Sequence, residues 1–340
     1  MPIAGASPPC ADARLRAHHI LVCLDRSPLS EVCLPYAISI AKTFGSEISL
    51  LHVMELRHEH PGPRTTDPLG WEISRQEARA YLERHEQATT RALGRPVEVR
   101  LEQGHPAERI VGVARELGAD LTILGSHGEG GATAWNLGST VQQVLAVTRS
   151  SVFVARSSAA APGVAIPKRI LVPLDGSVRT ESALPTAARI AITFGAELLL
   201  VHVVQEPVPS SVLYSSEDLE LAATLAAHLE AAARRYLETL RDRLAHEVTH
   251  VQTLVIRHPN EHRCLLELLQ QEHIDLVVLS AHGVTCDPAR TFGSVTEHLL
   301  AHARAPLLVL QDLTHEVDQA HELAELRAPP LRASYPPEAV

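Results

Sequence analysis

The sequence predicts an α/β chain built from two tandem, doubly wound, five-stranded parallel-sheet domains. Three observations carry this. The chain repeats itself with a period near 150 residues; short apolar runs alternate with segments of helical periodicity; and a glycine-spaced loop follows the fourth apolar run of the first repeat.

The repeat comes first. Ile20-Leu-Val-Cys-Leu-Asp25 returns as Ile170-Leu-Val-Pro-Leu-Asp175, and over Ile20 to Met54 the two copies are identical at 19 of 35 positions. Further along, Ser126-His127-Gly128 pairs with Ala281-His282-Gly283, and Gly138-Ser139 with Gly293-Ser294, at an offset of 155. Such a period is too long for a solenoid unit, so a whole domain was duplicated. The domains are assigned to residues 17–157 and 167–312 and joined by a small-residue and proline linker at 158–166. Residues 1–16 are expected to be disordered, and 313–340 to form a polar, proline-rich tail.

Within the first copy, Ile20 to Leu24 is a continuous apolar run ended by Asp25, then by Ser27-Pro28, an N-cap with proline at the first helical position. Leu34, Ala37, Ile38, Ala41 and Phe44 continue at helical spacing until Gly45. Pro35 is expected to kink this helix, since it cannot donate to the Glu31 carbonyl. Strands follow at Ile48–Met54, Val97–Leu101, Leu121–Leu124 and Val152–Ala155, with helices between them. The second copy repeats the order around Ile170, Leu198, Val251, Leu276 and Leu307, with a long charged-faced helix from about Glu217 to His246. Continuously apolar strands mean a sheet covered on both faces, and such sheets bind ligands beyond the carboxyl ends of their strands.

Composition narrows the function. A net charge of -10, with Lys42 and Lys168 the only lysines, disfavours nucleic acid as a partner. No run is long and apolar enough for a membrane span. Five scattered cysteines without a Cys-x-x-Cys pair signal neither disulfides nor zinc, and a reducing cytoplasm is the expected compartment. His58-Glu59-His60 lacks a third ligand, and no metal is expected there. No acid, base and nucleophile set stands out, so an enzymatic activity is not expected.

The loop reads Gly125-Ser-His-Gly128, nine residues, then Gly138-Ser139-Thr140 opening a helix. Glycines let backbone amides approach phosphate oxygens, and a helix start supplies unpaired N–H groups and positive dipole charge. It is not a Walker A motif, because the chain has no Gly-Lys dipeptide; nor is it the dinucleotide fingerprint, because Thr133 stands where the third glycine is needed.

The Gly-x2-Gly-x9-Gly-Ser spacing, the first strand ending in Asp25, the Leu51-His52-Val53 strand and the Gly104-x-Pro106 turn together resemble the ATP-binding branch of the universal stress protein family, in tandem form. The resemblance implies an adenine nucleotide alpha hydrolase-like sheet of order 3-2-1-4-5, with domains paired through their last strands. It places Asp25 at the ribose, Val53 and Leu124 at the adenine, Gly125, His127 and Gly128 at the phosphates through their backbone, and Gly138, Ser139 and Thr140 at the phosphate end of ATP, with or without Mg²⁺. The second copy keeps Asp175, Val203, Leu279, Gly283, Gly293 and Ser294, with Val295 at the position of Thr140, but Ser280 replaces the first glycine and Arg257 stands at the position of Gly104, near the expected base pocket. Weaker binding is expected there, although Arg290 is positioned in sequence to meet a phosphate. The implied function is an ATP-binding regulatory protein of the stress response. A ligand-free dimerisation scaffold and a slow ATP hydrolase remain open alternatives, as do the protein partner and any homodimer.

Overall fold

The computed structural model describes residues 17–55, 68–126, 137–156, 167–205, 216–284 and 290–311. In the first copy the elements run β1 (His19–Cys23), α1 (Pro28–Glu31), α2 (Cys33–Phe44), β2 (Glu47–Met54), α3 (Pro68–Leu93), β3 (Glu98–Gln103), α4 (Pro106–Glu116), β4 (Leu121–Gly125), α5 (Ser139–Val147) and β5 (Ser151–Ala155). The second copy repeats them as β6 (Arg169–Pro173), α6 (Val178–Glu181), α7 (Leu184–Phe194), β7 (Glu197–Gln205), α8 (Ser216–Leu244), β8 (Val251–His258), α9 (Glu261–Gln271), β9 (Leu276–Ser280), α10 (Ser294–His302) and β10 (Leu307–Leu310).

All ten strands join one sheet in the order β3-β2-β1-β4-β5-β10-β9-β6-β7-β8. Each copy thus contributes a 3-2-1-4-5 arrangement with parallel neighbours. The two arrangements meet at β5 and β10, which pair antiparallel with Phe153 opposite Leu308. Chain reversal from β3 back to β4 leaves a crevice beyond the ends of β1 and β4, and the same reversal opens one beyond β6 and β9.

Strand alternation divides the core between two faces. Ile20, Val22, Phe153, Ile170 and Leu308 pack beneath α2, α3, α7 and α8. Leu21, Val154, Leu171 and Val309 pack beneath α4, α5, α9 and α10. Both clusters hold residues from both copies, so the hydrophobic interior is continuous across the β5–β10 seam. Two arginines reinforce that seam at helix C-termini, where the last carbonyls lack intrahelical donors. Arg156 donates to the Leu300 carbonyl in the last turn of α10, and Arg189 donates to the Thr43 carbonyl at the end of α2, at 3.1 Å.

One expectation is corrected. The segment carrying Pro35 is not one continuous helix: α1 ends at Glu31 and α2 begins at Cys33. The Glu31 carbonyl finds no N–H at Pro35, and the helix is interrupted at Val32, which keeps right-handed backbone angles. Pro185 has the same effect between α6 and α7, for the same reason at Glu181.

Candidate functional site

The site is assembled at the ends of β1 and β4. β1 is extended past its last residue by two ties to β2: the Leu24 amide donates to the Leu51 carbonyl at 2.8 Å, and His52 Nδ1 donates to the Leu24 carbonyl at 2.7 Å. The second copy repeats both, Leu174 to Val201 and His202 Nδ1 to the Leu174 carbonyl. These histidines fix the backbone on which Asp25 and Asp175 stand. Their role was not read from the sequence, although the repeated His-Val pair carried the signal.

Asp25 Oδ1 accepts from the Ser27 amide at 3.0 Å and the Ser27 hydroxyl at 2.6 Å, while Ser27 Oγ in turn caps α1 by accepting from the Ser30 amide. In the second copy Asp175 Oδ1 accepts from the Ser177 amide and the Thr180 hydroxyl, and Oδ2 accepts from the Val284 amide at 2.7 Å. Burial pushes the Asp175 pKa up, but the donors from Ser177, Val284 and Thr180 outweigh it, and the carboxyl lies below its ordinary value of 3.8. The carboxylate is so close to the loop that a Cβ on Gly283 would stand 2.3 Å from Asp175 Oδ2. Glycine at 283 is therefore a packing requirement.

At the far wall of the crevice, Gly125 is the last residue of β4 and pairs with Ala155. The Gly138 amide donates to the Ser126 carbonyl at 2.9 Å, which ties the start of α5 to the end of β4. Gly138 is the N-cap of α5 and supplies no side-chain acceptor of its own to the first-turn amides. α10 starts the same way from Gly293, ahead of Ser294 and Val295. The contrast with α1, α6 and α9 is chemical: there Ser27, Ser177 and Asn260 cap the first turn with their own oxygens.

The residues placed at the base differ in exposure. Leu124, Val203 and Leu279 are buried in the face covered by α4, α5, α9 and α10, whereas Val53 is half-buried. His127 and Gly128 lie outside the described residues, as do His58, Glu59, His60 and Trp135.

Two side chains do not go where the sequence reading sent them. Arg257 is inside β8, opposite Val204, and pairs with Glu230 of α8. It therefore faces α8, while Val203 faces α9 and α10 on the opposite side of the sheet. The reason is register. Met54 pairs with Gln103, and its counterpart Val204 pairs with Arg257, so Arg257 stands where the first copy has Gln103; the counterpart of Gly104, which takes φ +133, is His258 at the end of β8. Arg290 pairs with Glu297 Oε2 at 2.7 Å in the first turn of α10, so a phosphate would have to compete for it. In the first copy Arg26 is engaged with Glu77 and Arg109 with Glu102. A groove of about 440 Å³ lies between α5 and α10 on the seam, walled by the equivalent pairs Leu145/Leu300 and Ala146/Ala301. Among the described residues no three His, Cys, Asp or Glu side chains converge on a metal position, and no helix is long and apolar enough to cross a membrane.

Comparison with known proteins agrees with this arrangement. Residues 17–156 and again 167–311 match the universal stress protein family. The chain belongs to that family, as a tandem member. A universal stress protein of Mycolicibacterium smegmatis is 33% identical over 140 residues, which is 40% of this chain and 45% of the relative, so the match spans less than half of that protein's length. Universal stress protein A homolog 1 of Coxiella burnetii is 30% identical over 34% of this chain and 77% of its own. Among solved structures, a universal stress protein from Archaeoglobus fulgidus superposes over 87% of this chain and 99% of its own with a TM-score of 0.58 at 20% identity, a likeness of fold.

Proposed function

We propose that this tandem universal stress protein is an ATP-binding regulatory protein of the cytoplasmic stress response, holding its nucleotide mainly in the first copy. The observation that carries the reading is the start of α5: its N-cap is a glycine, which offers the first-turn amides no side-chain acceptor of its own, at the crevice that β1 and β4 create. Asp25 would receive the ribose hydroxyls, Val53 would pack on the base, and Gly125, His127, Gly128 and Gly138 would present backbone amides to the phosphates. Mg²⁺, when bound with ATP, would neutralise phosphate charge that no engaged arginine of this site offsets. In the second copy a nucleotide would meet Asp175, Ser280, Gly283, Gly293 and Ser294, and the replacement of the first glycine by the buried Ser280 supports weaker binding there.

Trp135 lies in sequence between Gly128 and Gly138, and Trp71 is the only other tryptophan. In a Trp71→Phe variant, ATP with Mg²⁺ is expected to change Trp135 emission, and Gly138→Val to abolish the change. No response in emission or calorimetry up to millimolar ATP would remove the proposal, and phosphate release in the same sample would replace binding by turnover. The scaffold reading has its own support in the continuous β5–β10 sheet, which needs no ligand; it predicts the same silent titration with an intact fold. Under either reading we propose that the two copies act as an internal pair. Sedimentation would show whether two chains then join.

A further inference from the structure

Three histidines meet on the outer side of the second copy. The His262 ring of α9 lies 4.9 Å from that of His298 on α10, and His298 lies 4.5 Å edge-on from His302, one turn further along the same helix. We propose that His262, His298 and His302 form an acid-sensitive lock between α9 and α10, closed by ring packing when neutral and loosened by mutual repulsion when protonated.

The surroundings favour charge repulsion. His298 is half-buried, and the charges that act on it are those of His302 and His262. Burial first, and then these two rings, hold its pKa below the ordinary 6.5. The other charged groups of the two helices are turned elsewhere: Glu261 toward Gln205, Arg263 onto Glu267, and Glu297 onto Arg290. His258 acts on Glu267. Among the described residues no carboxylate forms an ion pair with any of the three imidazoles. The rings stack and do not converge on a metal position, so protons are the species they answer to.

The sign follows. A folded-state pKa below the unfolded one means that the folded protein binds fewer protons, so stability at this contact is lost as pH falls below about 6.5 and is regained above it. The first copy has no such device, since Ala107, Gln143 and Val147 occupy the corresponding positions. The lock also sits close to the second candidate site. His298 is four residues, about one helical turn, from Ser294, and α9 opens with Glu261, whose carboxyl is pushed up by burial and by Asp175. Loosening α9 from α10 would move the two helix starts that border Asp175 and Gly283. That consequence rests on the proposed nucleotide reading; the lock itself does not.

Hydrogen exchange on the full chain tests it without any ligand. After correction for intrinsic rates, protection of α9 and α10 amides should fall about three- to tenfold more than that of α4 and α5 between pH 7.5 and pH 5.0. His298→Phe, which keeps a packed ring and removes the proton, should abolish most of the difference, with His298→Gln as a second variant should the first not fold. An equal acid response in both copies, or one unchanged in the variants, would overturn the lock. So would stoichiometric Zn²⁺ binding at pH 7.5 that His298→Gln removes, since the cluster would then be a metal site.

Discussion

The two copies share a frame and differ at its rim. Both hold the end of the first strand by a histidine on the second, both seat an aspartate on a capped short helix, and both start the last helix from a glycine. They part where the pocket edge is made. Gly125 becomes Ser280, the strand that ends before Gly104 runs one residue further to His258 in the second copy, and Arg290 and Glu297 pair across the start of α10. Duplication has kept the parts that set backbone position and let those that line the opening change. Competence to form a helix start at the crevice is thus common to both, while the chemistry offered around it is not.

The largest test concerns whether the copies can be separated at all. Phe153 is 1% exposed, packs 4.9 Å from Tyr36 and faces Leu308 across the seam. Phe153→Ala should cost about 3–5 kcal/mol. Because both cores cross the seam, denaturation followed by circular dichroism should remain a single transition at lower denaturant. Two separated transitions would mean that the copies are independent bodies, and the comparison would then be between two domains instead of two halves of one.

A second test uses two glycines of the second copy. Gly283→Ala puts a Cβ onto Asp175 Oδ2 and should release the Val284 amide, at a cost of about 1.5–3 kcal/mol for a hydrogen bond to a charged group. Gly293→Ala meets nothing closer than the Ala281 carbonyl at 3.5 Å, with an ordinary negative φ, and should cost within about 1 kcal/mol as an N-cap change. Equal costs in thermal melts would show that the Asp175 contact does not hold the loop.

Much of this was legible beforehand, and the reasons for the rest are physical. The period, the strand positions and the glycine start of α5 follow from local signals. The outcome at Pro35 does not, because a missing N–H can be absorbed by bending or by stopping, and packing chooses between them. Arg257 was misplaced because Gly104-x-Pro106 and Arg257-x-Pro259 match as motifs, whereas strand pairing sets Arg257 opposite Val204 as it sets Gln103 opposite Met54, and a one-residue shift reverses the face. The bond from Asp175 to Val284 spans 109 residues. Twenty histidines gave no hint that His262, His298 and His302 would meet, since the meeting depends on how α9 packs against α10.

The smallest predicted effect is the most direct probe of what changed between the copies. Ser280 stands at the position of Gly125, is 4% exposed, and its hydroxyl has no hydrogen-bond partner. A buried polar group left unmade is unfavourable, so Ser280→Ala should stabilise the protein by about 1 kcal/mol. Ser280→Gly removes the same hydroxyl but adds backbone freedom to a strand end, worth about 0.5–1 kcal/mol in the other direction, and should be close to neutral. If both variants instead lower the melting temperature, the hydroxyl is making an interaction that holds the second loop, and the serine is a working replacement for the glycine. If the predicted order holds, this position is a tolerated imperfection, and calorimetric titration of Ser280→Gly with ATP then asks whether restoring the first copy's residue also restores its proposed affinity.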